Sequence, residues 1–330
     1  MMLELKELIA SETRKIDQVM RQDLDRFSAD HDQLLMSILD YGLFGGGKRV
    51  RPLLAVLSSK LAGCRDERVY ELGIAFEYLH VATLFHDDVI DNASTRRNRS
   101  SVNEKFGIVG AILAGDFLHA HSMAIIGRYA GTEGLSLFTS ATCGMADGEF
   151  VQLRNIGNLA QTEDDYFKVV MGKTALLIGA ACQIGGRFGG ADQNQAAALS
   201  EYGLKLGCAF QIVDDLLDYT GDPSSTGKRV GNDLIEGKVT LPLILALKDA
   251  DKRDKSWLYE VFQNERSRSE QTAEVIDFIS RYDGFMRARK QAEKIITEAL
   301  ARLDCFIRPE DNEILVIFKA LAAYVLTREK

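Results

Sequence analysis

The chain has 330 residues, a net charge of −8, and 46% apolar and 27% charged residues. That length can bury a sizeable core in one domain or two, and the balance is that of an ordinary globular protein. The acidity argues against nucleic acid as a partner, while leaving room for a small anion held by a local cation cluster or by carboxylate-bound metal ions.

The opening residues, MMLELKELIASETRK, carry charge throughout and lack the apolar run of a signal peptide. No stretch of roughly 18 uncharged apolar residues follows, so no integral membrane segment is expected. Only four prolines occur, with none between Pro52 and Pro223, which permits a long series of unbroken helices. Period-two alternation is scarce. The reading is an all-α bundle of about ten to thirteen helices. Gly/Asn/Asp-rich breaks fall near 42–47, 92–103, 155–160, 185–194 and 220–233. None has the length or low complexity of an interdomain linker, so residues 1–330 are read as one domain. Five cysteines (Cys64, Cys143, Cys182, Cys208, Cys305) lack metal-ligand spacing and fit free thiols in a reducing cytoplasm.

The first chemically loaded stretch is Gly45-Gly46-Gly47-Lys48-Arg49-Val50-Arg51-Pro52. Glycines free backbone amides to face an anion, a helix starts near Pro52, and Lys48, Arg49 and Arg51 add charge. Gly42, Gly47 and Lys48 satisfy the spacing of a nucleotide-binding P-loop. Arg49, however, stands where Ser or Thr is needed, and no strand precedes.

Next, ERVYELGIAFEYLHVATLFHDDVID reads as a helix with Leu72, Ala75, Phe76, Leu79, Val81 and Ala82 facing inward. It closes on Asp87-Asp88-Val89-Ile90-Asp91, where Asp87 and Asp91 share a helix face. His80, seven residues earlier, lies on that face too. A second copy of the pattern, Asp214-Asp215-Leu216-Leu217-Asp218, follows the apolar run GCAFQIV. Like charges at this spacing repel, so an exposed helix gains nothing from them without a cation. Hard carboxylate oxygens with no soft ligand nearby suit Mg²⁺ shared with substrate phosphates. One copy alone would read as a solvated acidic helix end; two copies flanked by apolar helix favour a metal site.

Arg96-Arg97, in the loop after the first motif, suit bidentate phosphate binding. Gly172-Lys173-Thr174, Gly227-Lys228 and Gly237-Lys238 add cations in glycine-bearing turns. Each is weak singly. Together with two metal motifs they supply what a diphosphate leaving group needs.

These segments, GGGKRVRP, LFHDDVID with RR following, MGKTA, FQIVDDLLD and GNDLIEGKVTLP, occur in the order found in the trans-isoprenyl diphosphate synthases, or polyprenyl synthetases, which the chain resembles over roughly residues 30–325. The resemblance implies an all-α homodimer with a central cavity, and a Mg²⁺-dependent prenyltransferase that joins isopentenyl diphosphate to an allylic diphosphate, with three Mg²⁺ per active site. It assigns Asp87, Asp91 and Asp214 as metal ligands, with Asp88, Asp215 and Asp218 completing or supporting the sites. Lys48, Arg51, His80 and Arg97 would bind isopentenyl diphosphate. Arg96, Lys173, Thr174, Gln211, Lys228 and Lys238 would hold the allylic diphosphate and line the cation's path, with Lys173 counted among the catalytic groups. The family usually has Gly after the arginine pair, where this chain has Asn98, a residue that tolerates left-handed geometry.

Product length is expected to depend on the helix bearing Asp87. In the family, bulky aromatics at the first turn back stop growth early; here Ala82 and Thr83 are small, with Leu79 and Phe76 deeper, so the resemblance implies a product longer than farnesyl, octaprenyl-like first and geranylgeranyl second. A terpene cyclase would replace the second motif with an Asn/Ser/Glu pattern. A non-catalytic partner subunit would lose aspartates from one motif, and a di-metal oxidase would need Glu-x-x-His pairs.

Overall fold

The protein is described by a computed structural model covering residues 2–221, 230–306 and 313–328. Helices α1 (Met2–Phe27), α2 (Gln33–Leu43), α3 (Val50–Leu61) and α4 (Val69–Ile90) come first. A two-strand hairpin, β1 (Thr95–Arg96) with β2 (Arg99–Ser100), then leads to short α5 (Val102–Phe106) and long α6 (Ile108–Arg154). Helix α7 (Glu163–Val170) runs through a π turn, Met171–Ala175, into α8 (Leu176–Phe188), and α9 (Gln193–Thr220) follows. The remainder is α10 (Asn232–Ile235), α11 (Leu241–Asp249), α12 (Lys252–Val261), α13 (Glu265–Glu270), α14 (Thr272–Arg281), α15 (Gly284–Ala301) and α16 (Glu313–Thr327). Among the described residues, thirteen of these helices have eight residues or more, and the fold is all-α as expected. Its one departure is the hairpin, which the sequence pattern did not announce.

The chain forms two compact units. One comprises Met1–Ser140, Ala180–Ser200 and Cys305–Ile317; the other comprises Ala141–Gly179, Glu201–Asp304 and Phe318–Lys330. The first is built around α3 and α4. The sequence suggests one inward face for α4, yet Tyr70, Ile74, Glu77 and Tyr78 are buried along with Leu72, Ala75, Phe76, Leu79, Val81 and Ala82. A helix apolar on all sides is a central one, enclosed by its neighbours. The second unit has its core where α11 packs on α14 and α15, with Leu243, Leu245, Phe278, Ile279, Ala288 and Ile296 buried.

Helix α6 breaks at Gly131 (φ 64°, ψ −163°), a conformation open to glycine and costly for other residues. Two segments, Ile108–Arg154 and Glu163–Phe188, are long and apolar enough to cross a membrane by length and composition. The apolar window of the second is 72% buried within the protein, as befits a core helix.

Candidate active site

In the first unit, α4 ends in a Schellman cap. The Asn92 N–H donates to Val89 O (3.3 Å) and the Ala93 N–H to Asp88 O (2.9 Å), with Asn92 left-handed at φ 49°. Asp91 is the C-cap itself, and its N–H donates to Asp87 O at 2.8 Å. The outer carboxylates of the first motif therefore sit at the negative end of the helix dipole, where anions are destabilised and a cation is favoured. The middle residue behaves differently. Asp88 is 1% exposed, and Arg96 Nε donates to its Oδ1 at 2.6 Å.

The hairpin that delivers Arg96 turns on Arg97 (φ 52°) and Asn98 (φ 59°), both left-handed as a two-residue hairpin turn requires. Asn98 thus adopts the geometry expected of it in place of Gly. Arg97 donates to Gly46 O, which ties the hairpin to the glycine loop.

That loop joins α2 to α3; with a helix before it rather than a strand, the P-loop reading fails. Arg49 corrects another expectation. Its side chain turns inward, 3% exposed, and donates to Glu77 (2.8 Å), Asp17 (2.7 Å) and Leu43 O (2.6 Å). It fastens the loop to α1, α2 and α4 and is withdrawn from any ligand. Lys48 is exposed and Arg51 half-buried.

Burial pushes the His80 imidazolium well below the usual histidine range, and Arg51, Arg97, Arg96 and Arg49 push it further. His80 is therefore a neutral hydrogen-bonding group amid guanidinium charge. Burial also lowers Arg97, and Arg49 and Arg96 add to that against the opposing pull of Glu77. A bound anion relieves such mutual repulsion. A pocket beside this cluster is lined by Gly45, Phe85, Asp88, Arg96, Arg97 and Arg99.

In the second unit, the aspartate motif lies inside α9, which continues two residues past Asp218. Asp214 pairs with Arg328 at 2.6 Å, and Arg328 also donates to Phe210 O (2.7 Å) and stacks on the Phe210 ring. Asp215 is 3% exposed; Tyr166 Oη donates to its Oδ2 (2.6 Å) and Gln211 Nε2 to its Oδ1 (2.9 Å). Burial, with Asp233 and Asp214 nearby, holds the Asp215 carboxyl well above its usual range, against the pull of those two donors. Asp218 accepts the Asp233 N–H at 3.1 Å and so anchors the turn bearing Asp233 and Lys238. Lys238 pairs with Asp233 (3.1 Å) and Glu236 (2.6 Å). Burial opposes its charge, and the two carboxylates outweigh that and raise it.

Lys173 and Thr174 sit in the π turn, a helix distortion common at functional sites. The turn packs directly on α6: a Cβ on Gly172 would lie 2.6 Å from Gly144 O and 2.8 Å from Gly148 Cα. Lys173 Nζ donates to Glu149 Oε2 at 3.0 Å, and Thr174 Oγ1 to Gln211 Oε1 at 2.9 Å. A cavity in this unit is lined by Gln152, Tyr166, Lys173, Gln211, Asp215, Asp233 and Lys238, among others.

Among the described residues, no group of three or more His, Cys, Asp or Glu side chains is gathered closely enough to hold a metal alone. Carboxylates offered one or two at a time suit a hard divalent ion that takes its other ligands from water and phosphate. Asp87, Asp91 and Asp214 fit that role.

Residues 32–279 match the family model described as polyprenyl synthetase. The chain belongs to the polyprenyl synthetase family. It is 33% identical over 276 residues to an octaprenyl diphosphate synthase of Haemophilus influenzae, covering 84% of each chain. It is 34% identical to a geranylgeranyl diphosphate synthase of Sulfolobus acidocaldarius, covering 88% of this chain and 90% of that one. Its structure resembles a Caulobacter crescentus polyprenyl synthase solved with calcium and isoprenyl diphosphate (TM-score 0.87, 29% identity, 99% and 97% of the two chains). It is a prenyltransferase.

Within this polyprenyl synthetase, the first unit brings Arg51, His80, Arg96 and Arg97 together near Asp88. The second sets Lys173, Gln211, Asp215 and Lys238 around one cavity, with Thr174 held to Gln211 by a hydrogen bond. Lys228 lies outside the described residues. Phe76, Leu79 and Ala82 are buried in α4, and the Thr83 hydroxyl donates to His80 O at 2.8 Å. Sequence reasoning missed Tyr166, Glu149, Asp233 and Arg328. Asp233 stood in the quoted GNDLIEGKVTLP segment and was legible there; the others carried no local signal.

Proposed function

We propose that this polyprenyl synthetase catalyses Mg²⁺-dependent head-to-tail (1′-4) condensation of isopentenyl diphosphate with an allylic diphosphate, giving an all-trans product longer than farnesyl. The observation that carries the reading is the cluster of Arg51, Arg96 and Arg97 around neutral His80, beside carboxylates at a helix C-terminus. It couples an anion site to cation-seeking aspartates.

Asp87, Asp91 and Asp214 would hold the divalent ions, three in all, which would supply charge neutralisation as the allylic C–O bond breaks. Arg96, Lys173, Thr174, Gln211, Lys228 and Lys238 grip the departing diphosphate and stabilise the charge that grows on it. Lys48, Arg51, His80 and Arg97 orient isopentenyl diphosphate so that its double bond meets the allylic cation. The released pyrophosphate takes the proton, so no side-chain base is required. Water must be kept from the cation, which it would quench.

Small Ala82 and Thr83 let the chain descend α4 toward Leu79 and Phe76. We favour an octaprenyl-like length, in keeping with the Haemophilus influenzae relative, and geranylgeranyl second, in keeping with the archaeal one. The working form is a cytoplasmic homodimer. Uncovered Ile108, Val109, Ile112 and Leu113 at the start of α6 support self-association, because so many large apolar groups on one helix face favour a partner.

Purified protein given labelled isopentenyl diphosphate, a farnesyl diphosphate primer and Mg²⁺ should extend the primer, and chromatography of the products gives their length. Consumption of the primer without incorporation of label would overturn the reading.

A further inference from the structure

Four side chains in the second unit close a cross-link between two elements. Tyr166 and Thr174 are eight residues apart on the stretch from α7 through the π turn, and Gln211 and Asp215 are one turn apart on α9. Tyr166 Oη donates to Asp215 Oδ2 (2.6 Å), Thr174 Oγ1 to Gln211 Oε1 (2.9 Å), and Gln211 Nε2 to Asp215 Oδ1 (2.9 Å). The last bond joins the first two into one network. Two attachment points fix the register of one helix along another, whereas a single point leaves a hinge.

The tyrosine is more than packing. Its ring is 4% exposed and lies edge-on to Phe167 at 5.3 Å, so a phenylalanine would satisfy the same space. A buried hydroxyl is costly unless it finds an acceptor, and this one donates to a carboxylate that is itself buried. Helix α7 is held firmly enough to aim it. Thr162 and Asp165 form a reciprocal capping box at its start, with the Asp165 N–H donating to Thr162 Oγ1 at 3.2 Å and the Thr162 N–H to Asp165 Oδ2 at 3.2 Å. Both Asp215 oxygens accept protein donors, whereas Arg328 meets Asp214 at Oδ1, so Asp215 acts as a fastening point and Asp214, under the proposed function, as the ligand.

We infer that Tyr166 is a positioning residue for the second aspartate motif: its hydroxyl, through Asp215, sets the register between the Lys173–Thr174 turn and the helix that carries Asp214. This rests on the proposed function, in which Lys173 and Asp214 act on the same allylic diphosphate. Loss of the hydroxyl should loosen the grip on metal–diphosphate and leave isopentenyl diphosphate binding alone.

The test compares wild type with Tyr166→Phe. Thermal melting is followed as Mg²⁺ and inorganic pyrophosphate are titrated in, and the KM for each substrate is measured alongside. Second-layer partners of metal ligands typically matter on the order of tenfold or more in affinity. Tyr166→Phe should therefore need roughly tenfold more Mg²⁺–pyrophosphate for half-maximal stabilisation and show a raised KM for the allylic substrate only. In the double variant with Asp215→Asn, the two losses should fall short of additive, because both act through one bond. Wild-type Mg²⁺–pyrophosphate affinity in Tyr166→Phe, equal rises in both KM values, or fully additive losses would overturn the inference alone. A wild-type protein that does not respond to Mg²⁺–pyrophosphate would sink the functional reading, and the inference with it.

Discussion

One five-residue pattern occurs twice in this chain and is built in two ways. At Asp87–Asp91 the helix stops, and the last aspartate is its cap; at Asp214–Asp218 the helix carries on. The middle carboxylate is buried in both, but Asp88 is met by the guanidinium of Arg96, whereas Asp215 is met by the uncharged donors Tyr166 and Gln211. The first motif thus sets its central carboxylate against a guanidinium, close to a helix end that itself repels anions. The second holds its central carboxyl by hydrogen bonds in a dry setting that raises its proton affinity. Identical letters specify where carboxylates project. What surrounds them decides how each one is held.

Neutralising the outer aspartates tests what the two versions share. Asp87→Asn and Asp214→Asn should each lower kcat/KM by at least about a hundredfold, with weaker Mn²⁺ binding followed by electron paramagnetic resonance. Unchanged ion affinity and turnover in both would end the metal-site reading. Arg96→Ala attacks what is particular to the first motif, by removing the guanidinium that pairs with buried Asp88. Breaking a fully buried pair costs about 3–5 kcal/mol; with Arg96 partly exposed, a loss of about 2 kcal/mol in urea unfolding is expected. Thr83→Phe probes the wall one turn before the first motif and should shorten the product without abolishing condensation. An unaltered length distribution would refute that growth path.

The smallest effect is one of pH. Since His80 is held neutral in the folded protein, the unfolded chain takes up more protons once the pH drops below about 6.5, the ordinary histidine value. Its contribution to stability is therefore constant above that point and declines as the pH falls through it. His80→Gln should flatten this part of the acid stability profile. An equally steep decline in the variant would show that other groups cause it.

Much of this was readable in the residues. Helical spacing and the scarcity of proline announced an all-α chain, and the paired DDxxD patterns, MGKTA and the arginine pair marked positions that the structure gathers into two clusters. The braces were hidden because each is a pairing of distant positions: Arg49 with Glu77, Tyr166 with Asp215, Asp214 with Arg328. Nothing next to Arg49 separates it from Lys48, and both read as charge for an anion until Glu77 of α4 draws Arg49 inward. The hairpin was hidden for a different reason. Its turn residues, Arg97 and Asn98, lack the Asn-Gly or Asp-Gly signature that usually marks such a turn.

The inward-turned Arg49 has a consequence for recognition. Three helices clamp it from below, so the glycine-rich segment above is moulded by the core before any ligand arrives. A flexible glycine tract would lose conformational freedom on capturing an anion, and that loss would weaken the complex. Here part of that ordering is completed as the polypeptide folds, so the contacts proposed for Lys48 and Arg51 would go into holding the guest instead of shaping the host.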